Sequence, residues 1–216
     1  MDLIGGYLLV ILILFTANIS LLIGNLKINN FKLIGVSFAI LIISFVSMNI
    51  SGYFENTLSF LLDYYSYFFM ILCIFVFLTF ICYFKKNNLR FSIVSVMILF
   101  IISLICLSSQ SELSLFDFSL YSLFSFLTLF SVYQLTKLLI HAKRDYPVII
   151  GEYMCLFSLL LFIFGLTYES TRHLVYSMFS PFLILTPTYQ LIYIIIGIIV
   201  VLVIGVVYND NKGGSL

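Results

Sequence analysis

Two carboxylates fall inside stretches of this sequence that are otherwise apolar enough to cross a bilayer. Ionisable groups placed there often mark a path for protons or ions. Asp63 stands near the start of one such stretch and is followed by Tyr64, Tyr65, Ser66 and Tyr67. Glu152 stands about a turn inside another, after Pro147 and Gly151. Asp63, Glu152, Tyr64 and Tyr65 are therefore the candidate proton-path residues. The competing reading puts both carboxylates in the headgroup zone, with water and a base nearby; Lys143 and Arg144 would serve Glu152 in this way. On that reading the tyrosines form an interfacial aromatic belt.

No other pattern carries chemistry. The sequence has no HExxH, no GxSxG elbow and no Walker loop. Its two histidines, His141 and His173, are expected at opposite membrane faces, which argues against a shared metal site. Lysine is missing from the depth of the last apolar stretch, which argues against a retinal Schiff base. Cys73, Cys82, Cys106 and Cys155 form no CxxC and read as small buried hydrophobes. No catalytic centre, metal or cofactor is expected.

The elements that must position these residues follow from composition. The chain has 216 residues, 63% hydrophobic and 9% charged, with a mean hydropathy of +1.22. A soluble domain is about a quarter charged, so the expected solvent is lipid. There every backbone polar group must be paired internally, by helices or a closed barrel. Barrel strands alternate polar and apolar residues, and the long apolar runs here do not. The net charge of +1 gives no nucleic-acid signal.

A crossing helix needs about 20 apolar residues. The pattern predicts an all-α, polytopic transmembrane bundle in one domain, 1–216, with about seven helices. The expected spans are 3–24, 32–51, 58–84, 91–108, 118–140, 148–167 and 188–208. Pro147 falls where the sixth would begin, a position that tolerates its missing N–H. The stretch 174–187 is apolar, carries Pro181 and Pro187, and is too short to cross; it reads as re-entrant or interfacial. Span 3–24 is long enough to cross and lacks a basic start, so no cleavable signal peptide is expected.

Numbering the connectors puts nine of the ten basic residues on one face. These are Lys27, Lys32, Lys85, Lys86, Arg90, Lys137, Lys143, Arg144 and Lys212, with only Arg172 opposite. Basic residues gather on the cytoplasmic or matrix side, so the amino terminus is expected outside and the carboxyl terminus inside. Gly197 and Gly205 are expected to let a neighbouring helix pack closely. Asn18 and Asn49 are expected to hydrogen-bond between helices.

The order of features resembles chain 6 of the proton-pumping NADH:quinone oxidoreductase, respiratory complex I. That family starts outside with three closely connected helices and a loop asparagine after the first. Here Asn25 and Asn30 are followed by Asp63-Tyr64-Tyr65-Ser66-Tyr67 and then the run Ile71 to Phe77. The family's last helix ends on an Ile-Gly-Ala-Ile-like step, matched by Val203-Ile204-Gly205-Val206-Val207 after Phe179-Ser180-Pro181-Phe182. The family's Gly-Ala in helix three is Ser66-Tyr67 here, and the family has five helices. The resemblance implies a membrane subunit of a respiratory proton-translocating complex, with other membrane subunits and the lipid bilayer as partners. The Phe, Tyr, Leu and Ile bias fits the inner mitochondrial membrane of a protist, or the cytoplasmic membrane of an AT-rich prokaryote. Two further readings remain open: an independent small-molecule or ion transporter, and a seven-helix sensor or scaffold.

Overall fold

The computed structural model describes residues 3–26, 28–86, 89–111, 113–139 and 145–172. These form α1 (Leu3–Gly24), α2 (Asn30–Ile50), a 3-10 turn (Ser51–Phe54), α3 (Glu55–Leu58), α4 (Leu61–Lys86), α5 (Leu89–Ser108), α6 (Leu115–Leu139) and α7 (Tyr146–Arg172). No strand occurs among the described residues. Six helical stretches are long and apolar enough to cross a membrane. The seventh expected span, 188–208, and the segment 174–187 lie outside the described residues, as do Gly197 and Gly205.

Element boundaries depart from the sequence expectation at the ends. The connector expected after residue 51 is helical, as the 3-10 turn and α3. The sixth span continues past 167 to Arg172, taking in residues read as loop. The start of α6 moves back to Leu115 because Ser114 and Asp117 cap it. The Asp117 carboxylate accepts from the Ser114 N–H at 2.9 Å and from its hydroxyl at 2.8 Å. The Ser114 hydroxyl in turn accepts from the Asp117 N–H at 3.3 Å. This reciprocal arrangement is a capping box.

The helices run alternately up and down. Tyr7 of α1 meets Thr171 of α7, and Tyr121 of α6 reaches the Gly5 carbonyl, so these residues share the Leu3 end. At the Gly24 end, Tyr146 of α7 donates to the Leu21 carbonyl and Tyr133 of α6 to that of Ile28. Lys32, Lys85, Arg90 and Lys137 therefore gather at the Gly24 end. Glu55, Asp63, Asp117 and Glu169 gather at the other.

Helix α1 is the centre. Nineteen of its 22 residues are buried, against six of 21 in α2. It lies against α5, α6 and α7, while α4 pairs with α7 and α2 with α6. Apolar side chains occupy the interior and the outside alike, and Leu8, Ile11, Phe15 and Phe100 are fully buried. Ser44, Ser103, Ser125 and Thr136 are buried, whereas Phe38, Ile74, Ile98, Leu123 and Leu159 are exposed.

In lipid, apolar contact alone gives little reason for helices to associate, so close packing and interhelical hydrogen bonds carry more of the stability. Small side chains supply both. Ser44 of α2 donates to Ser125 of α6 at 3.2 Å, and Ser20 of α1 to the Leu129 carbonyl of α6 at 2.9 Å. Gly151 and Gly165 of α7 and Gly24 of α1 sit where a Cβ would strike a neighbour.

Candidate functional site

The candidate carboxylates lie on the outside of the bundle. Asp63 is exposed in the first turn of α4, where the helix dipole favours a negative charge. Glu152 is exposed in the second turn of α7. The two helices are antiparallel: Tyr168 of α7 reaches the Leu62 carbonyl, while Gly151 lies against Phe80 and Phe84. Asp63 thus stands level with Tyr168, sixteen residues along α7 from Glu152. At 1.5 Å per residue that is about 24 Å. The structure does not bring the two carboxylates together. Lys143 and Arg144, the expected neighbours of Glu152, lie outside the described residues, as do His141 and His173.

The two candidate tyrosines separate. Tyr64 has a non-helical backbone (φ −121°, ψ 15°) and its side chain is 53% exposed, whereas Tyr65 is fully buried. The Tyr65 hydroxyl donates to the Cys106 carbonyl of α5 at 2.9 Å. Its ring lies 5.4 Å from that of Tyr168. Tyr7, Phe69 and Phe164 complete this aromatic cluster, with Tyr7 5.3 Å from Phe69 and 5.2 Å from Phe164. Edge-on and tilted contacts of this kind stabilise by geometry as well as by burial. Tyr65 therefore ties α4 to α5 and α7 at the Leu3 end. Tyr64 and Tyr67 face outward with rings 6.1 Å apart, as an interfacial belt would.

The Gly24 end carries a second set of hydroxyls that the sequence reading did not single out. A helix leaves its last carbonyls without intrahelical partners. In and just beyond the last turn of α1 they are taken by tyrosines from other helices: Leu21 by Tyr146 at 2.8 Å and Ile28 by Tyr133 at 2.7 Å. Further along α1, Tyr153 takes the Leu14 carbonyl at 3.0 Å. The Thr136 hydroxyl, which donates to the Tyr133 carbonyl at 2.7 Å, and the side chains of Tyr83 and Tyr133 lie near Tyr146. Lys137 packs over the Tyr133 ring and donates to Asn30. The available sequence signal was tyrosine at the start of one apolar stretch and near the end of another.

Among the described residues three buried polar side chains make no hydrogen bond: Asn18, whose amide lacks a partner on both O and N, Ser37 and Tyr83. The interhelical bond expected of Asn18 is not formed. Asn49 bonds within its own helix, to the Phe45 carbonyl at 2.8 Å. The four cysteines are free; Cys73, Cys82 and Cys106 are half-buried, and Cys155 is exposed where a buried hydrophobe was expected. Among the described residues no group of His, Cys, Asp and Glu is gathered as a metal site would require.

No protein-family model, no curated protein and no solved structure matches the chain.

Proposed function

We propose that the chain is an integral membrane subunit of a respiratory proton-translocating complex, similar to chain 6 of NADH:quinone oxidoreductase. It positions helices and carries no reaction centre of its own. On this reading 188–208 supplies the seventh span, the Leu3 end faces outward, and the Gly24 end faces the matrix or cytoplasm. The membrane is the inner mitochondrial membrane of a protist, or the cytoplasmic membrane of an AT-rich prokaryote.

One observation carries the reading. The described chain is almost entirely membrane-length helix, with apolar side chains both outside and inside, hydroxyls interspersed in the interior, and connectors of a few residues. A protein built this way has little to act with beyond the bilayer, so its contacts with other membrane chains are where its work lies. The positive-inside rule supports the orientation, because the lysines and arginines at the ends of α2, α4, α5 and α6 share one end.

Asp63 and Glu152 are exposed on α4 and α7. A proton path using them runs along the outside of this pair, where a neighbouring subunit would line its other wall. Extraction in mild detergent followed by native electrophoresis tests the assignment. The chain should migrate with flavin and iron–sulfur subunits. Recovery as an isolated, monodisperse 24.8 kDa protein would reject it.

A second reading, an independent transporter of a small molecule or ion, draws on the unpartnered amide of Asn18 inside the enclosed helix. Ligand-dependent thermal stabilisation of the isolated chain would favour it.

A further inference from the structure

Two of the three unpartnered polar groups fall in one seam. On α1, residues 7, 11, 14 and 18 follow the three-four spacing that keeps one helix face toward a neighbour. Tyr7 of this row touches Phe69 of α4 and Phe164 of α7, and Leu14 accepts from Tyr153 of α7. Asn18 therefore looks toward the α4–α7 pair. On α4 the buried row is Phe69, Leu72, Val76, Thr79 and Tyr83; on α7 it is Ile150, Met154, Phe157, Leu161 and Phe164.

The heights agree as well. Asn18 lies eleven residues below Tyr7 and Tyr83 fourteen below Phe69, so their levels differ by about 4.5 Å. Helical side chains lean toward the amino end of their own helix, which carries the Tyr83 hydroxyl up toward Asn18. Counting eleven residues from Phe164 along antiparallel α7 reaches Tyr153, so Met154 is at the same level. Ser37, the third unpartnered group, is on α2, which packs on α5 and α6 and not on this seam.

We propose that the α1–α4–α7 seam binds ordered water between Asn18 and Tyr83. An amide offers two donors and an acceptor oxygen, and a phenol one of each, all uncharged. That set recognises a neutral hydrogen-bonding guest. With Phe157, Met154 and Val76 filling the seam, the guest is the smallest one, water. Buried water typically satisfies about three otherwise unpaired groups. Below this site, Tyr83 lies near Tyr146, whose hydroxyl donates to the Leu21 carbonyl and has the Thr136 hydroxyl close by. The site is thus the deep end of a line of hydroxyls reaching the Gly24 end of the bundle.

Radiolytic labelling tests it on the whole chain in membranes or mild detergent. X-rays generate hydroxyl radicals from bound as well as bulk water, so a buried methionine is oxidised to its sulfoxide where water adjoins it. Met154 and Met48 are both fully buried, and only Met154 is level with the site. Met154 should oxidise several-fold faster than Met48. In an Asn18→Leu, Tyr83→Phe double variant its rate should fall to that of Met48. Met154 as protected as Met48 in the unmodified protein overturns the proposal, as does oxidation that persists undiminished in the double variant. The comparison of the two methionines in the unmodified protein decides the matter even if the variant fails to fold.

Discussion

Adding one methyl group to α7 at Gly165 should destabilise the protein more than adding it at Gly151, although the overlap is larger at Gly151. A Cβ at Gly165 would lie 3.1 Å from the Ser66 carbonyl oxygen and 3.0 Å from the Met70 Cγ. The first of these is backbone, so relief requires α4 and α7 to move apart. That movement also strains the hydrogen bond from the Ser66 hydroxyl to the Gly165 carbonyl. A Cβ at Gly151 would overlap the Phe84 ring, but that ring is half exposed near the end of α4 and can swing outward. Overpacking costs about 1–3 kcal/mol where the surroundings cannot give. Replacing glycine by alanine inside a helix returns about 1 kcal/mol. The weakened hydroxyl bond adds roughly 0.6 kcal/mol. Gly165→Ala should therefore lose about 1–2 kcal/mol and Gly151→Ala close to nothing. For a chain of this length each kcal/mol moves the melting temperature by about 2–4 °C. The half-buried Cys73, Cys82 and Cys106 provide the assay, because a thiol-reactive fluorophore reaches them as the bundle opens. A lower melting temperature for Gly151→Ala than for Gly165→Ala would refute the argument that backbone contact, and not overlap alone, sets the cost.

Three further outcomes are expected. Tyr65→Phe removes one bond to the Cys106 carbonyl and should cost about 0.5–1.5 kcal/mol in thermal unfolding; on the proposed function, a loss of translocation without loss of stability would support Tyr65 on the proton path, and unchanged translocation would strike it. Asp63→Asn and Glu152→Gln should each impair translocation in membrane vesicles, and unchanged pumping in both would strike them from the path. Cysteine introduced at Lys85 and at Glu55 should react with a membrane-impermeant reagent from opposite sides of sealed vesicles, and labelling from one side would break the topology.

What the sequence reveals here is length and polarity along the chain, because both are properties of one helix at a time. Span 3–24 has the same limits as α1: hydrocarbon thickness sets the apolar length, and Asn25 marks its end. Lysines and arginines at helix ends sort the connectors by side for the same reason. Which helix is enclosed is a property of the assembly. In water an apolar stripe marks the inward face of a helix, but lipid and protein interior are equally apolar, so that contrast is lost. The weaker signal left is side-chain size: α1 carries Gly5, Gly6, Thr16, Ala17, Ser20 and Gly24 within about a third of its circumference, the side that meets α6, while the outward rows of α4 are rich in Ile and Phe.

The same reasoning explains why outward-facing Glu152 was not separable from an inward-facing one by sequence. A carboxylate one turn into a span is compatible with either face until its neighbours are known. Gly151 and Gly165, by contrast, stand fourteen residues apart, two heptads, and so share a face of α7. That spacing was available in the sequence as a packing signal, and it marks the face that meets α4. Polar residues follow a harsher rule. A serine or threonine inside a membrane helix can return its hydroxyl to its own backbone, as Thr16, Ser103 and Ser108 do. The Asn18 amide, fully buried on both its oxygen and its nitrogen, makes no such bond. Keeping it so in hydrocarbon costs more than a leucine of similar size would, so the position carries a demand that packing alone does not explain.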